Sequence, residues 1–488
     1  MTRLRFLQIL GEWPRGEGPM YLRLAEAIRA AIERGDLPAG ARLPAQRVLA
    51  RWLEVSRTTV VLAYEALSAE QWLEGRQGSG TTVRRSPASA LATRGGAAAA
   101  LSTRNVVFRG LVERTGAEVE FLGAHLEGPP AIFDKVWNEA RTDLAKLLRG
   151  HGYMPLGLPE LRAAIASHLE RAGLPTKAEQ VLVTSGAQQA IALVANLLVE
   201  AGDPVVLEDP TYPGAIDAFT LFGARLVGVA HDSGGLPVEA LREALSRVSP
   251  RVVYLIPTCH NPTGEVLGGA ARRQMMHALE GSGAVVLEDM TLADLSLEPR
   301  VPPPLAAFSR DLTVLTVGSL SKLFWGGLRV GWVRGPEPLI ARLSRLKVVS
   351  DLSGSLLSQK VAARVLGRVQ ELATMRRRQV RTRLDHAARI LAKHLPDWTY
   401  RRPAGGLSLW IRLPAGDASE LAAIALRRGV AIVPGSVNSP EGRWADHIRL
   451  PFAADPETME EGIQRVAAAW AEYAPERRSR RRAVGVLV

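Results

Sequence analysis

Lys322 ends the stretch Ser319-Leu320-Ser321-Lys322, and Arg329 follows within Gly326-Gly327-Leu328-Arg329-Val330-Gly331. A lysine among hydroxyls, with a cation a short way on, can pair an aldehyde-reactive amine with a phosphate clamp. Thr184-Ser185-Gly186-Ala187-Gln188-Gln189 turns from a strand-like run into a helical one, where free N–H groups and the helix dipole attract phosphate. Glu288-Asp289 closes an apolar run and puts a carboxylate where a protonated ring nitrogen can be paired. His260-Asn261-Pro262-Thr263-Gly264 is a turn whose side-chain amide can donate to a phenolate oxygen. A lone lysine after a strand or an acid at a strand end is commonplace, but these four sites converge on one chemistry.

A second set of residues fits nucleic acid. Ser56, Arg57, Thr58 and Thr59 open a helical pattern, and the N-terminal residues of a recognition helix enter the major groove. Arg57 offers a bidentate fork for a guanine edge or a phosphate, while the hydroxyls suit phosphate oxygens. Arg47 lies one helix earlier and is a further candidate; both arginines also fit an ordinary surface role.

The elements that must position these residues are legible in the periodicity. Tyr21, Leu24, Ala25, Ile28, Ala31 and Ile32 recur at helical spacing, with Gly35 as a stop. Pro44 fits the first turn of a second helix bearing Val48, Leu49, Ala50, Trp52 and Leu53. After Glu54-Val55-Ser56, a third helix capped by Ser56 turns Val60, Ala63, Tyr64 and Leu67 inward. Trp72–Arg76 and Thr81–Val83 read as strands around a glycine-rich tip at Gly78, a wing. Farther on, Val181–Val183, Val205–Leu207, Val252–Ile256, Ala284–Leu287 and Leu312–Leu315 are continuous apolar strands separated by helical patterns, which predicts a mainly parallel α/β sheet buried on both faces.

Composition bounds the rest. The 488 residues are 47% hydrophobic and 23% charged, as in a folded globular chain, and a small-residue stretch divides them. The expected organisation is a DNA-binding domain over 1–85, a flexible linker over 86–118, a large domain over 119–474 and a basic tail over 475–488. One cysteine, Cys259, excludes an internal disulfide or thiolate cage and fits a reducing compartment. Cys259 beside His260 is expected to be a small buried residue rather than a nucleophile, and no metal site is expected. The apolar runs are too short to span a membrane. The net charge of +12 permits nucleic-acid contact, although arginine-rich coding bias accounts for it equally well.

The first segment resembles the GntR-type winged helix through Leu43–Ala50, Val55–Val60, Ala63–Leu67 and Gly78–Thr81. That resemblance implies DNA contacts from Arg47, Ser56, Arg57, Thr58 and the wing tip at Gly78, with Thr59 beside them. The large domain resembles fold-type I aminotransferases, with a smaller α+β C-terminal subdomain, and implies pyridoxal 5′-phosphate. Lys322 then matches the Schiff-base lysine, Asp289 the partner of the ring nitrogen, Asn261 that of the ring oxygen, and Tyr212 the aromatic stacked on the ring. Ser185, Ala187, Gln188, Ser319 and Arg329, with Ser321 more weakly, match positions serving the phosphate, and Arg449 matches the arginine that binds a substrate carboxylate.

Their fusion resembles the MocR group of bacterial transcriptional regulators. It implies a cytosolic homodimer, associated with the nucleoid when bound, that reads a double-stranded operator and senses pyridoxal phosphate or an amine, without a membrane role. One departure stands out. The family places a tyrosine shortly after the strand-end aspartate, whereas this chain has Asp289-Met290-Thr291-Leu292, so transamination is expected to be weak at most. The competing expectations are an active aminotransferase, against which the recognition segment Ser56–Thr59 weighs, and a structural DNA-binding protein, against which the retained Lys322, Asp289, Asn261 and Arg329 weigh.

Overall fold

The computed structural model describes residues 6, 9–10, 13, 19–33, 36–38, 40–69, 72–76, 80–84, 110, 115–143, 147–232, 234–309 and 311–484. They belong to two compact units, Met1–Arg109 and Gly110–Val488.

In the first unit, α1 (Met20–Glu33) packs on α3 (Arg57–Ala69), and α2 (Gln46–Leu53) precedes α3 by a three-residue turn. The inward stripe of α3 forms as the spacing requires, with Val60, Ala63, Tyr64 and Leu67 all buried against Leu24, Ile28 and Leu49. Glu54, at φ 56°, closes α2 in the left-handed region. The Thr59 N–H donates to Ser56 Oγ at 3.1 Å, the capping bond that a serine before a helix provides. Pro44 does not start α2, which opens at Gln46 after Ala45. Its carbonyl instead accepts from the Tyr64 hydroxyl at 2.9 Å and ties that loop to α3. Strands β1 (Leu73–Arg76) and β2 (Gly80–Val83) pair antiparallel, Leu73 opposite Val83, as the wing. Gly35, Gly78 and nearly all of the expected linker lie outside the described residues.

The second unit opens with β3 (Val119–Glu120) and builds a seven-stranded sheet in the order β4-β10-β9-β8-β7-β5-β6. These strands are β4 (Val181–Thr184), β5 (Pro204–Asp209), β6 (Arg225–Ala230), β7 (Val252–Leu255), β8 (Val285–Asp289), β9 (Val314–Ser319) and β10 (Gly331–Arg334). All neighbours are parallel except β10, which runs antiparallel to both β4 and β9. Leu182, Leu207, Tyr254 and Leu287 pack on one face, Val206, Val253 and Val286 on the other, so helices cover both sides. The strand expected at Leu312–Leu315 lies at Val314–Ser319, which brings Ser319 to its C-terminal end.

A second, four-stranded sheet pairs β11 (Thr399–Tyr400), β12 (Ser408–Arg412), β15 (His447–Pro451) and β14 (Val433–Pro434) antiparallel. Its core, with Trp398, Leu409, Ile411, Ile448 and Leu450, takes in Val380 and Leu384 of a long helix over Val369–His394. β3 pairs in parallel with β13 (Val430–Ala431), which anchors the start of this unit on the smaller subdomain. The backbone of the last helix runs from Pro456 to Val484 and so includes most of the basic tail. Among the described residues no helix is long and apolar enough to cross a membrane.

Candidate functional site

The C-terminal ends of the parallel strands carry the polar residues. Because side chains alternate, Asp289 leaves β8 on the same face as Leu287, while Glu288 points to the opposite face, where it accepts from the Leu305 N–H at 2.6 Å. Asp289 is only 5% exposed, and its two oxygens accept from the Tyr254 hydroxyl at 2.7 Å and the Thr291 N–H at 2.8 Å. Tyr254 is kept protonated by burial first and by the neighbouring Asp289 charge second.

Lys322 follows β9. Its amine donates to the Ala124 carbonyl at 2.6 Å, and burial, assisted by the cations Arg449 and Arg329, lowers its pKa to about 8. Arg449, on β15 opposite Trp410 and Val433, is 3% exposed and donates from Nη2 to the Leu122 carbonyl. Burial lowers its pKa to about 10, and its Nε is buried without a partner. The segment 121–125 therefore places one backbone carbonyl on Arg449 and one on Lys322.

Arg329 takes a left-handed backbone, φ 55°, and its guanidinium donates to the Ser185 carbonyl. Gly186, at φ 109°, precedes α4 (Ala187–Leu198), and a side chain there would meet Arg329 Nη2 at 3.2 Å. Gly331 has no space for a Cβ, which would lie 2.6 Å from the Gly186 carbonyl carbon. The two glycines let β10 press against the start of α4 and leave its first N–H groups beside Arg329. Ser185 and Ala187 occupy this turn. Ser319 is buried, with Oγ 2.9 Å from Ser321 Oγ and 3.1 Å from the Val330 carbonyl, so its hydroxyl holds the turn together. The Gln188 amide serves Tyr212: it accepts from the tyrosine hydroxyl at 3.0 Å and donates to the Gly214 carbonyl at 2.8 Å. Tyr212, raised in pKa by burial and then by Asp289, shares its surroundings with Arg449 and Arg329.

Asn261 sits on a turn framed by Arg272, whose fully buried guanidinium donates to the carbonyls of Leu267, Pro257 and Pro303. Asn261 Oδ1 and Thr291 Oγ1 are buried without hydrogen-bond partners. Cys259 is buried, and burial pushes its thiol up to about 12, as an inert packing residue requires. Tyr254 and the carbonyls of Leu122 and Ala124 escape sequence reasoning. A tyrosine in the otherwise apolar Val252-Val253-Tyr254-Leu255 was the one available signal, since a buried hydroxyl needs a partner.

In the first unit, Arg47, Ser56, Arg57 and Thr58 are exposed, whereas Thr59 is half-buried with its hydroxyl 2.8 Å from Ser56 Oγ.

A lysine after a central strand, an aspartate at the end of the next and a glycine-lined helix start define the aminotransferase-like class of pyridoxal-phosphate proteins. The family model Aminotransferase class I and II matches residues 131–466, and that of Bacterial regulatory proteins, gntR family, matches 20–83. The chain belongs to the helix-turn-helix regulators of GntR type fused to an aminotransferase class I and II domain, the architecture of MocR. It is 31% identical to the uncharacterized HTH-type transcriptional regulator YdfD of Bacillus subtilis over 91% of this chain and 95% of that one. It is also 31% identical to the probable rhizopine catabolism regulatory protein MocR of Rhizobium meliloti, over 93% of this chain and 94% of the relative. Among solved structures, the α-aminoadipate aminotransferase LysN of Thermus thermophilus, complexed with N-(5′-phosphopyridoxyl)-L-leucine, matches with TM-score 0.67 and 33% identity over 75% of this chain and 95% of that one.

The residues present fit pyridoxal phosphate. The close approach of Gly331 to Gly186, the buried Asp289 carboxylate held by two donors and the Lys322 amine near neutrality are the features such a group requires.

Proposed function

We propose that this transcriptional regulator senses an amino compound through pyridoxal phosphate held in the large domain, and that occupancy of that cleft changes its hold on DNA. The observation that carries the proposal is the segment 121–125, whose Leu122 and Ala124 carbonyls engage Arg449 and Lys322. A ligand carboxylate on Arg449 competes directly with Leu122. The displaced segment continues, through β3, back to the expected linker 86–118.

When bound, pyridoxal phosphate supplies an electrophilic aldehyde carbon and an electron-withdrawing ring. Lys322 would hold the aldehyde end, its lowered pKa favouring the neutral amine that condensation with loss of water needs. Asp289 would pair the ring nitrogen, Asn261 would donate to the ring oxygen, and Tyr212 would pack on the ring. Arg329, the turn of Ser185, Ala187 and Gln188, and the Ser319–Ser321 pair would hold the phosphate, Gln188 and Ser319 also fixing their neighbours. Arg449 orients a carboxylate. Exposed Arg57, Ser56, Thr58 and Arg47, with Thr59 and Gly78, read the operator, and a cytosolic homodimer would present two such surfaces to paired half-sites.

An active aminotransferase is the second reading, favoured by a lysine whose pKa lets Nζ carry a proton in either direction near neutrality. Against it, the side chain at Thr291 supplies only a hydroxyl where the family has a tyrosine. The test is to incubate cofactor-loaded protein with a panel of amino acids and a 2-oxo acid and to quantify the new amino acid. A ligand-dependent spectral change without product, abolished by Arg449→Met, supports the sensor. Turnover at ~1 s⁻¹ or faster overturns it in favour of the enzyme.

A further inference from the structure

On the face of the sheet opposite Asp209 and Asp289, three side chains meet that the cofactor cleft does not use. Glu208 projects from the end of β5 on the side of Val206, His231 follows β6, and His260 lies in the turn after β7. One ligand atom from each falls within 4.8 Å of the other two. Glu208 Oε1 is 3.2 Å from His231 Nε2, and Glu208 Oε2 is 3.7 Å from His260 Nε2. We infer that Glu208, His231 and His260 form a binding site for a divalent transition ion of the zinc class.

The histidine ring nitrogens carry the argument. His260 is 3% exposed, and its Nδ1 lies 2.9 Å from Thr263 Oγ1, which fixes the ring and points Nε2 at Glu208. At 3.7 Å that nitrogen is beyond hydrogen-bond reach of the carboxylate in either tautomer, and it is buried without a partner. A cation between these side chains would fill that gap. Tetrahedral coordination with bonds of about 2.0–2.1 Å separates ligand atoms by about 3.3 Å; the hydrogen-bonded pair Glu208 Oε1–His231 Nε2, at 3.2 Å, is close to that spacing, and Glu208 Oε2–His260 Nε2, at 3.7 Å, is wider.

The surroundings have the character of an outer coordination shell. Thr263 Oγ1, 2.9 Å from His260 Nδ1, orients that ring as outer-shell partners of a ligating imidazole do, and the Glu265 carboxylate stands 3.8 Å from His231 Nδ1, near it but not bonded to it. Glu265 also pairs with Arg401, and the Ile256 N–H donates to Glu208 Oε2 at 2.6 Å. The nitrogen and oxygen donors, with the Cys259 thiol turned toward Gly405 and Ser296, select zinc, cobalt or nickel over copper(I). A metal here would be structural, fixing the turn that carries Asn261 to the ends of β5 and β6.

The experiment uses the untagged full-length protein, stripped with chelator, reloaded with zinc or cobalt and passed through gel filtration before metal analysis. One retained equivalent, lost in both Glu208→Gln and His231→Gln and bound about 10–100-fold more weakly in Thr263→Ala, is the expected result. No retained metal in the wild type, or full retention by Glu208→Gln and His231→Gln, overturns the site. Should those variants fail to fold, X-ray absorption of the zinc-loaded wild type decides: two imidazoles and a carboxylate support the assignment, and any other protein ligand set overturns it.

Discussion

The Lys322 amine offers a prediction whose size follows from its surroundings. Burial is the larger cause of its lowered pKa, with Arg449 and Arg329 adding repulsion of the charged form, and together they bring it from 10.5 to about 8. At pH 7.5 an ordinary lysine is about 0.1% neutral, whereas one titrating at about 8 is about one quarter neutral, a gain of roughly 200-fold in reactive amine. The assay adds pyridoxal phosphate to cofactor-free protein between pH 6 and 10, traps with borohydride, and locates the label. Capture should rise with a midpoint near 8 and then level off, with the label on Lys322. The same shift has a stability consequence. Because the folded pKa lies below the unfolded one, the unfolded chain binds the proton more tightly between about 8 and 10.5, so stability of the cofactor-free protein rises with pH through that window and falls toward lower pH. Lys322→Met should remove that slope. A capture rate still climbing at pH 10, or equal capture by Lys322→Arg, would refute the reasoning.

Arg57→Ala should weaken operator binding by about 1–3 kcal/mol and relax discrimination at one base if Arg57 reads a base edge, while the melting temperature stays put because the side chain is exposed. A uniform loss over all sequences with a shallower salt slope would mark a phosphate contact instead. Gly186→Ala should weaken cofactor retention in equilibrium dialysis, since it opposes φ 109° and pushes on Arg329; unchanged retention would remove that turn from the site. Arg376, buried with bonds to the carbonyls of Leu323, Phe324 and Glu127, holds the segment just after Lys322. Arg376→Met should cost about 3 kcal/mol or more in denaturant unfolding, because it strands several buried acceptors.

How much the sequence reveals depends on whether partners are near one another along the chain. The Ser56 cap, the α3 stripe, the wing and the Ser319–Lys322 turn are local, and periodicity or spacing exposes them. β6 was not legible because, at the sheet edge, Arg225–Gly228 stays partly exposed and lacks the apolar run of its neighbours. β10 is four residues long and was hidden inside a glycine motif. The side-chain partner of Gln188, Tyr212, lies far along the chain, so spacing alone does not expose it. The segment 121–125 acts through backbone carbonyls, which any residue supplies, and reaches Lys322 and Arg449 far along the chain. His231 stands alone in Ala230-His231-Asp232, so nothing in the sequence joins it to Glu208 and His260.

Control of DNA binding by the cofactor site is tested most directly by the affinity of full-length protein for a two-half-site operator. The protein would be compared cofactor-free, loaded with pyridoxal phosphate, and loaded with added amino compounds, beside Arg449→Met. A change in affinity corresponding to about 1–3 kcal/mol between states, with the amino-compound step absent in Arg449→Met, is the predicted result. Equal affinity in every state and in both proteins would contradict it.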